Sequence, residues 1–198
     1  VFHTEGSLRI TQKSYRIPGI RSQGKGDAVV AEKQGQVMVT LKDRISLFDI
    51  KTGKHFKDIS NLQGRRDLSF LHASFSPDGK HVIFTTDDGK VSILEAHSGE
   101  IILTLPNQEK GIKKAMFFPS GNEILTANFG KNENLKVWTF PSGIIRKKYV
   151  FKEKMQTELW NGETSISKNA EFISIIGSDG KAKVHRSEDL SLISQKLL

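Results

Sequence analysis

An all-β chain of short four-stranded propeller blades is the fold class this 198-residue sequence predicts, and three observations carry the expectation. Phe75-Ser76-Pro77-Asp78-Gly79 returns as Phe117-Phe118-Pro119-Ser120-Gly121, with Pro77 and Pro119 standing 42 residues apart. Thr52-Gly53, Ser98-Gly99 and Ser142-Gly143 each close a run of alternating apolar residues, the glycines falling 46 and 44 residues apart. The segments between these turns are short and rich in Val, Ile, Phe and Thr, the composition of half-buried strands. A strand-built recurrence of about 40–45 residues marks propeller blades rather than a helical array.

The best-defined unit spans 71–105. His72 to Phe75 reads as a first strand, and Pro77-Asp78-Gly79 as a turn in which Pro fixes φ and Gly accepts a positive one. Val82 to Thr85 is a buried second strand, Asp87-Asp88-Gly89 turns the chain again, and Lys90 to Leu94 alternates polar with apolar. His97-Ser98-Gly99 then leads into a fourth strand over Glu100 to Leu105. The unit at 112–151 repeats the order, with strands over Ala115 to Phe118, Glu123 to Ala127, Leu135 to Trp138 and Ile144 to Phe151. Upstream, 27–60 supplies Ala28 to Glu32, Gln36 to Leu41, Arg44 to Ile50 and Lys54 to Ile59. Downstream, 157–198 gives a fainter copy: Glu158 to Trp160, Glu171 to Ile176, Lys181 to His185 and Leu190 to Leu197. Gly6 to Ile17 reads as the last strands of a partial blade within 1–20. Five residues before each closing Gly stand Phe48, Leu94 and Trp138, the expected core anchors of the third strands.

These units resemble WD40 repeats over roughly 27–198. The dipeptide Trp-Asp that names those repeats corresponds here to Phe48-Asp49, Leu94-Glu95, Trp138-Thr139 and His185-Arg186, so no unit carries it intact, and the usual Gly-His pair is absent. WD40 rings have seven or more blades, so the resemblance implies that four blades and a partial one form a portion of a larger ring; a complete small propeller is the alternative. An open arc would expose unpaired strand edges.

Composition narrows the chemistry. The hydrophobic share is 36%, with 12 Phe but only 2 Trp and 2 Tyr, and no apolar run approaches the about 18 residues of a membrane span. The absence of Cys excludes disulfides and thiolate ligands and suits a reducing compartment. Gly19-Ile20-Arg21-Ser22-Gln23-Gly24-Lys25 matches the start of a phosphate-binding P-loop, yet Gly26 replaces the Ser or Thr that would hold magnesium. Strand-like Ala28 to Glu32 follows in place of a helix, so this stretch reads as an inter-blade loop. The six His residues, at 3, 55, 72, 81, 97 and 185, show no ligand spacing. No nucleophile elbow is present, and Asp87 and Asp88 sit in a tight turn that favours Asp for its backbone hydrogen bonds. The sequence therefore predicts neither catalysis nor a metal, a cofactor or a small-molecule substrate.

A net charge of +8 permits attraction to an acidic partner such as RNA. In a WD40-like propeller the connections between blades and those between second and third strands share one face. Arg65, Arg66, Lys110, Lys113, Lys114, Lys152 and Lys154 are expected in the former, and Lys131 in the latter. Such loops would neutralise phosphates without reading sequence, or they are simply solvated. Arg146, Lys147 and Lys148 read as charges on an outer strand that discourage edge pairing.

The run from Asn134-Leu135-Lys136-Val137-Trp138 through Pro141-Ser142-Gly143, Lys152-Glu153-Lys154-Met155-Gln156 and Trp160, then Lys183-Val184-His185 to Ser194-Gln195-Lys196-Leu197, resembles the N-terminal propeller of the eukaryotic translation initiation factor 2A family. The propeller of subunit b of initiation factor 3 is similar. The resemblance covers about 65 residues, and a Trp-x-Pro-x-Trp-like segment of that family is reduced here to Trp160. It implies a cytoplasmic, non-catalytic factor that docks on the small ribosomal subunit, touching rRNA or initiator tRNA, and assists tRNA delivery or start-codon selection. The alternative is a WD40 scaffold for other proteins of a large complex, in trafficking or ribosome biogenesis.

Overall fold

The computed structural model describes residues 27–31, 35–60, 68–106, 112–128, 134–151, 163–176 and 181–197. Every regular element among them is a strand. The first sheet contains β1 (Asp27–Ala31), β2 (Gln36–Thr40), β3 (Arg44–Asp49) and β4 (His55–Ser60). The second contains β5 (Phe70–Phe75), β6 (His81–Thr86), β7 (Val91–Glu95) and β8 (Ile101–Thr104). The third is β9 (Ile112–Phe117), β10 (Glu123–Asn128), β11 (Asn134–Thr139) and β12 (Ile145–Val150). The fourth is β13 (Thr164–Ile166), β14 (Phe172–Ile176), β15 (Lys181–Arg186) and β16 (Leu192–Leu197). Each sheet is an antiparallel meander whose strands lie in chain order. These are WD40-like propeller blades. The first strands gather on one side, β1 beside β5 and β5 beside β9, which leaves β4, β8, β12 and β16 as the outer edges.

Side-chain alternation determines how the blades stack. On β7, Ile93 joins the cluster shared with Ile124 and Trp138 of the third blade, whereas the next residue, Leu94, joins Met38, Ile45 and Leu47 of the first. On β11, Trp138 faces Ile83, Val91 and Ile93 of the second blade, and Val137 faces Ile173 and Ile175 of the fourth. Since successive residues of a strand point to opposite faces, a run of apolar residues lets one strand feed two seams. That is why β6, β7 and β10 are buried almost throughout rather than alternately. The second and third blades thus each pack one face on the preceding blade and the other on the following one.

In the fourth blade the first described strand is Thr164–Ile166, and the expected strand from Glu158 to Trp160 lies outside the described residues. The turn that follows copies the Ser76-Pro77-Asp78-Gly79 turn with different residues. Ser76 Oγ donates to Asp78 Oδ1 at 2.6 Å and accepts from His81 N at 3.0 Å; Ser167 Oγ donates to Asn169 Oδ1 at 2.7 Å and accepts from Phe172 N at 2.9 Å. Ala170 takes the left-handed position, φ 61°, that Gly79 and Gly121 occupy in the other blades. Without Pro or Gly, the sequence gives this turn no flag. The expected partial blade at Gly6 to Ile17 and the stretch Gly19 to Lys25 lie outside the described residues.

Candidate interaction surfaces

Phe48, Leu94 and Trp138 occupy one structural position. They pair with Val37, Val82 and Ile124 on the second strands and with His55, Ile101 and Ile145 on the fourth. All three are buried. Trp138 also satisfies its polar atom: Nε1–H donates to Thr126 Oγ1 at 2.9 Å, and the Lys136 ammonium lies 5.6 Å from the ring centroid. The same register places His185 at this position in the fourth blade, opposite Ile173 and Leu192.

A β-bulge follows this position on every outer strand. Pairing steps from Phe48↔His55 to Leu47↔Lys57, from Leu94↔Ile101 to Ile93↔Leu103, from Trp138↔Ile145 to Val137↔Lys147, and from His185↔Leu192 to Val184↔Ser194. The extra residues are Phe56, Ile102, Arg146 and Ile193. A bulge bends the edge away from further pairing and re-aims its side chain outward. Phe56, Ile102 and Ile193 are accordingly 38%, 46% and 45% exposed despite being apolar, with Ile144, Ile145 and Leu192 beside them at 65%, 46% and 42%. Arg146 is held by an ion pair with Glu123.

Contacts between neighbouring blades make this rim continuous. A Cβ at Gly99 would lie 2.5 Å from Lys57 Cε, and one at Gly143 would lie 3.0 Å from Leu103 Cδ1, so each outer strand runs against the next blade's last turn. At the third step Lys147 Nζ donates to Ser187 O at 3.5 Å. Sequence reasoning missed the rim. The available signal was the apolar doublets Ile101-Ile102 and Leu192-Ile193, which break the two-residue alternation where the extra residue enters.

The cationic loop set meets the structure in two places. Arg65, Arg66, Lys110, Lys131, Lys152 and Lys154 lie outside the described residues. Lys113 and Lys114 are on β9 and not in the preceding connection, because Ile112 finds a buried slot and draws the strand back by three residues. A bulge accommodates this extension, with Ala127 opposite Lys114 and Asn128 opposite Ile112. Lys113 is thereby left exposed. Lys114 is mostly covered and bonds Glu163 Oε2 at 2.8 Å, an ion pair between the third and fourth blades. Lys136 and Lys183 are also buried, the latter with Nζ 5.6 Å from the Phe151 ring centroid.

The acidic residues serve the turns. Hydrogen bonds from the Thr52 hydroxyl and amide hold the Asp49 carboxyl below its ordinary range, and the Ser98 amide and hydroxyl do the same for Glu95. Ser191 lowers Asp189 likewise through its hydroxyl and amide. Partial burial pushes Asp78 and Asp58 upward. Hydrogen bonds from Ser76 and the Lys80 amide outweigh it at Asp78, as do Ser46 and His55 at Asp58. Among the described residues no group of three or more His, Asp or Glu is placed to hold a metal ion, and no described helix is long and apolar enough to cross a membrane.

Comparison with known proteins agrees with the architecture. Residues 28–120 match the family described as the anaphase-promoting complex subunit 4 WD40 domain. Over 107 residues, 52% of this chain, the sequence is 24% identical to protein tipD of Dictyostelium discoideum, covering 17% of that protein. A shorter stretch of 54 residues, 24% of this chain, is 43% identical to oligogalacturonate lyase of Dickeya dadantii, covering 14% of it. The chain spans less than a fifth of the length of these two relatives. The WD40 match agrees with the four-stranded antiparallel blades of the structure.

Proposed function

We propose that this chain is a non-catalytic interaction scaffold that holds protein partners in a multi-protein complex through the outer rim of its blades. One observation carries the reading: bulges on the outer strands of the first, second and fourth blades raise Phe56, Ile102 and Ile193 into solvent, and Ile144, Ile145 and Leu192 are exposed on the outer edges of the third and fourth. Apolar side chains clustered on exposed edges mark protein-binding surfaces. These side chains are already about half covered, so a partner that buries the rest of each one gains about 1 kcal/mol, roughly half the value for a fully exposed side chain.

A second, more specific reading is docking on the small ribosomal subunit in translation initiation, in the cytoplasm, with contacts to rRNA or initiator tRNA. It is supported by the resemblance in 134–197, the net charge of +8 and the exposed Lys113 raised by the β9 bulge. Two variants of the intact protein separate the readings. Ile102→Ser, Ile144→Ser and Ile193→Ser together should reduce the stoichiometric proteins that co-purify with it at least fivefold, measured by quantitative mass spectrometry. Retention of the full set would contradict the scaffold. Reversal of Arg65, Arg66, Lys110, Lys113, Lys131, Lys152 and Lys154 to Glu should weaken co-sedimentation with purified small ribosomal subunits and flatten its salt dependence if the second reading holds. Unchanged sedimentation would remove it.

A further inference from the structure

The third and fourth blades meet at an ionisable side chain. His185 takes the anchor position that Phe48, Leu94 and Trp138 fill elsewhere, and it is fully buried. Its ring is boxed edge-on by Tyr149 at 4.9 Å and Phe151 at 5.8 Å between centroids, both at the outer strand of the third blade. Nδ1 lies 3.0 Å from Leu190 O; a carbonyl only accepts, so Nδ1 carries the proton. Nε2 is then a bare lone pair, buried without a hydrogen-bond partner among the described residues. Leu190 itself is held at φ 62° with its side chain in the apolar cluster of this seam, at the place where the other blades have Gly53, Gly99 and Gly143. The turn that orients His185 is therefore under backbone strain and anchored by burial.

We propose that this seam is an acid-opened joint, in which protonation of His185 at Nε2 releases the fourth blade from the third. The new N–H would point into an apolar box with no acceptor among the described residues, and the positive charge would sit in a site already holding the buried Lys183 on the same strand. Of the other titratable groups around it, Tyr149 faces the ring from the third blade and Lys147 reaches Ser187 O. Glu188 and Asp189, in the turn between β15 and β16, are exposed, and Asp189 is engaged by Ser191. No described carboxylate is hydrogen-bonded or ion-paired to the ring. Burial accordingly lowers the affinity of His185 for a proton in the closed seam below its ordinary value of 6.5, and the positive charge of Lys183 acts in the same direction. Proton binding favours the open form as pH falls below that value. Opening would expose Phe118, Leu125 and Val137 on one side and Ile173 and Ile175 on the other.

Amide hydrogen exchange of the intact protein, corrected for intrinsic rates at each pH, tests this. Between pH 7.5 and 5.5, protection in 172–176 and 181–186 should fall, by up to tenfold for each pH unit below 6.5, while protection in 81–86 and 91–95 holds. His185→Phe, the aromatic solution already used at Phe48, and His185→Gln, which keeps a neutral donor, should both abolish the pH dependence. Constant protection in 181–186 across this range would overturn the proposal. So would a pH dependence that persists in either variant, or an equal loss in all four blades.

Discussion

Replacing Trp138 by Ala should remove about 3–5 kcal/mol of folding stability. The estimate rests on burial: a Trp covers roughly 150–250 Å², which at about 25 cal/mol per Å² corresponds to about 4–6 kcal/mol as an upper bound. The side chain has no exposed surface and closes the seam against Ile83, Val91 and Ile93, so the cavity left behind would have little scope to collapse. The hydrogen bond can be isolated separately. Thr126→Val keeps the volume but leaves the Trp138 indole N–H buried without an acceptor, at a cost of about 1–3 kcal/mol. Urea denaturation followed by far-ultraviolet circular dichroism measures both effects, using a signal that does not depend on the replaced Trp. A Trp138→Ala midpoint equivalent to a loss below about 1 kcal/mol would refute the argument that this position anchors the blade.

Further outcomes follow from the turns. Ala170→Gly should raise stability by about 0.5–1 kcal/mol, because Gly relieves the left-handed conformation at φ 61°; a lower melting temperature would contradict that. Gly143→Ala and Gly99→Ala share that strain at φ 68° and 73° and differ in their neighbours. The Gly143 variant presses on Leu103 Cδ1, a packed side chain, and the Gly99 variant on Lys57 Cε, the far end of a flexible one. Gly143→Ala should therefore be the more destabilising in parallel melts, and equal losses would show that crowding at the seam is unimportant. Stability should also decline as pH falls through the carboxylate range. Asp49, Asp78, Asp189 and Glu95 ionise more readily when folded, so the contribution they make above their ordinary values of 3.8 and 4.5 disappears as they protonate. Asp49→Asn should shrink that acid-side loss; an unchanged profile would count against turn capping.

The sequence disclosed the blades where turn chemistry and periodicity agreed. Pro77-Asp78-Gly79 and the glycines at 53, 99 and 143 need particular backbone angles, so the residues themselves announce the geometry. The fourth blade was faint because Ala170 and Leu190 adopt positive φ without being Gly, held there by hydrogen bonds and by burial that no local rule conveys. The repeat aligns His185-Arg186 with Trp138-Thr139, but the full burial of the His185 ring depends on its register with Ile173 and Leu192 and on the neighbouring blade, which composition does not convey. Bulges were the other obscured feature. They turned Lys113 and Ile102 outward, and a bulge depends on pairing between strands rather than on composition.

The stacking of the blades depends on neighbouring residues of one strand serving opposite seams. Methyl and aromatic nuclear Overhauser spectra of the intact protein address it directly. The Trp138 indole should show cross-peaks to the methyls of Ile83 and Ile93 in the second blade, and Val137, one residue before it, should show them to Ile173 or Ile175 in the fourth. Cross-peaks from Trp138 to Ile173, or from Val137 to Ile93, would contradict the stacking of the blades.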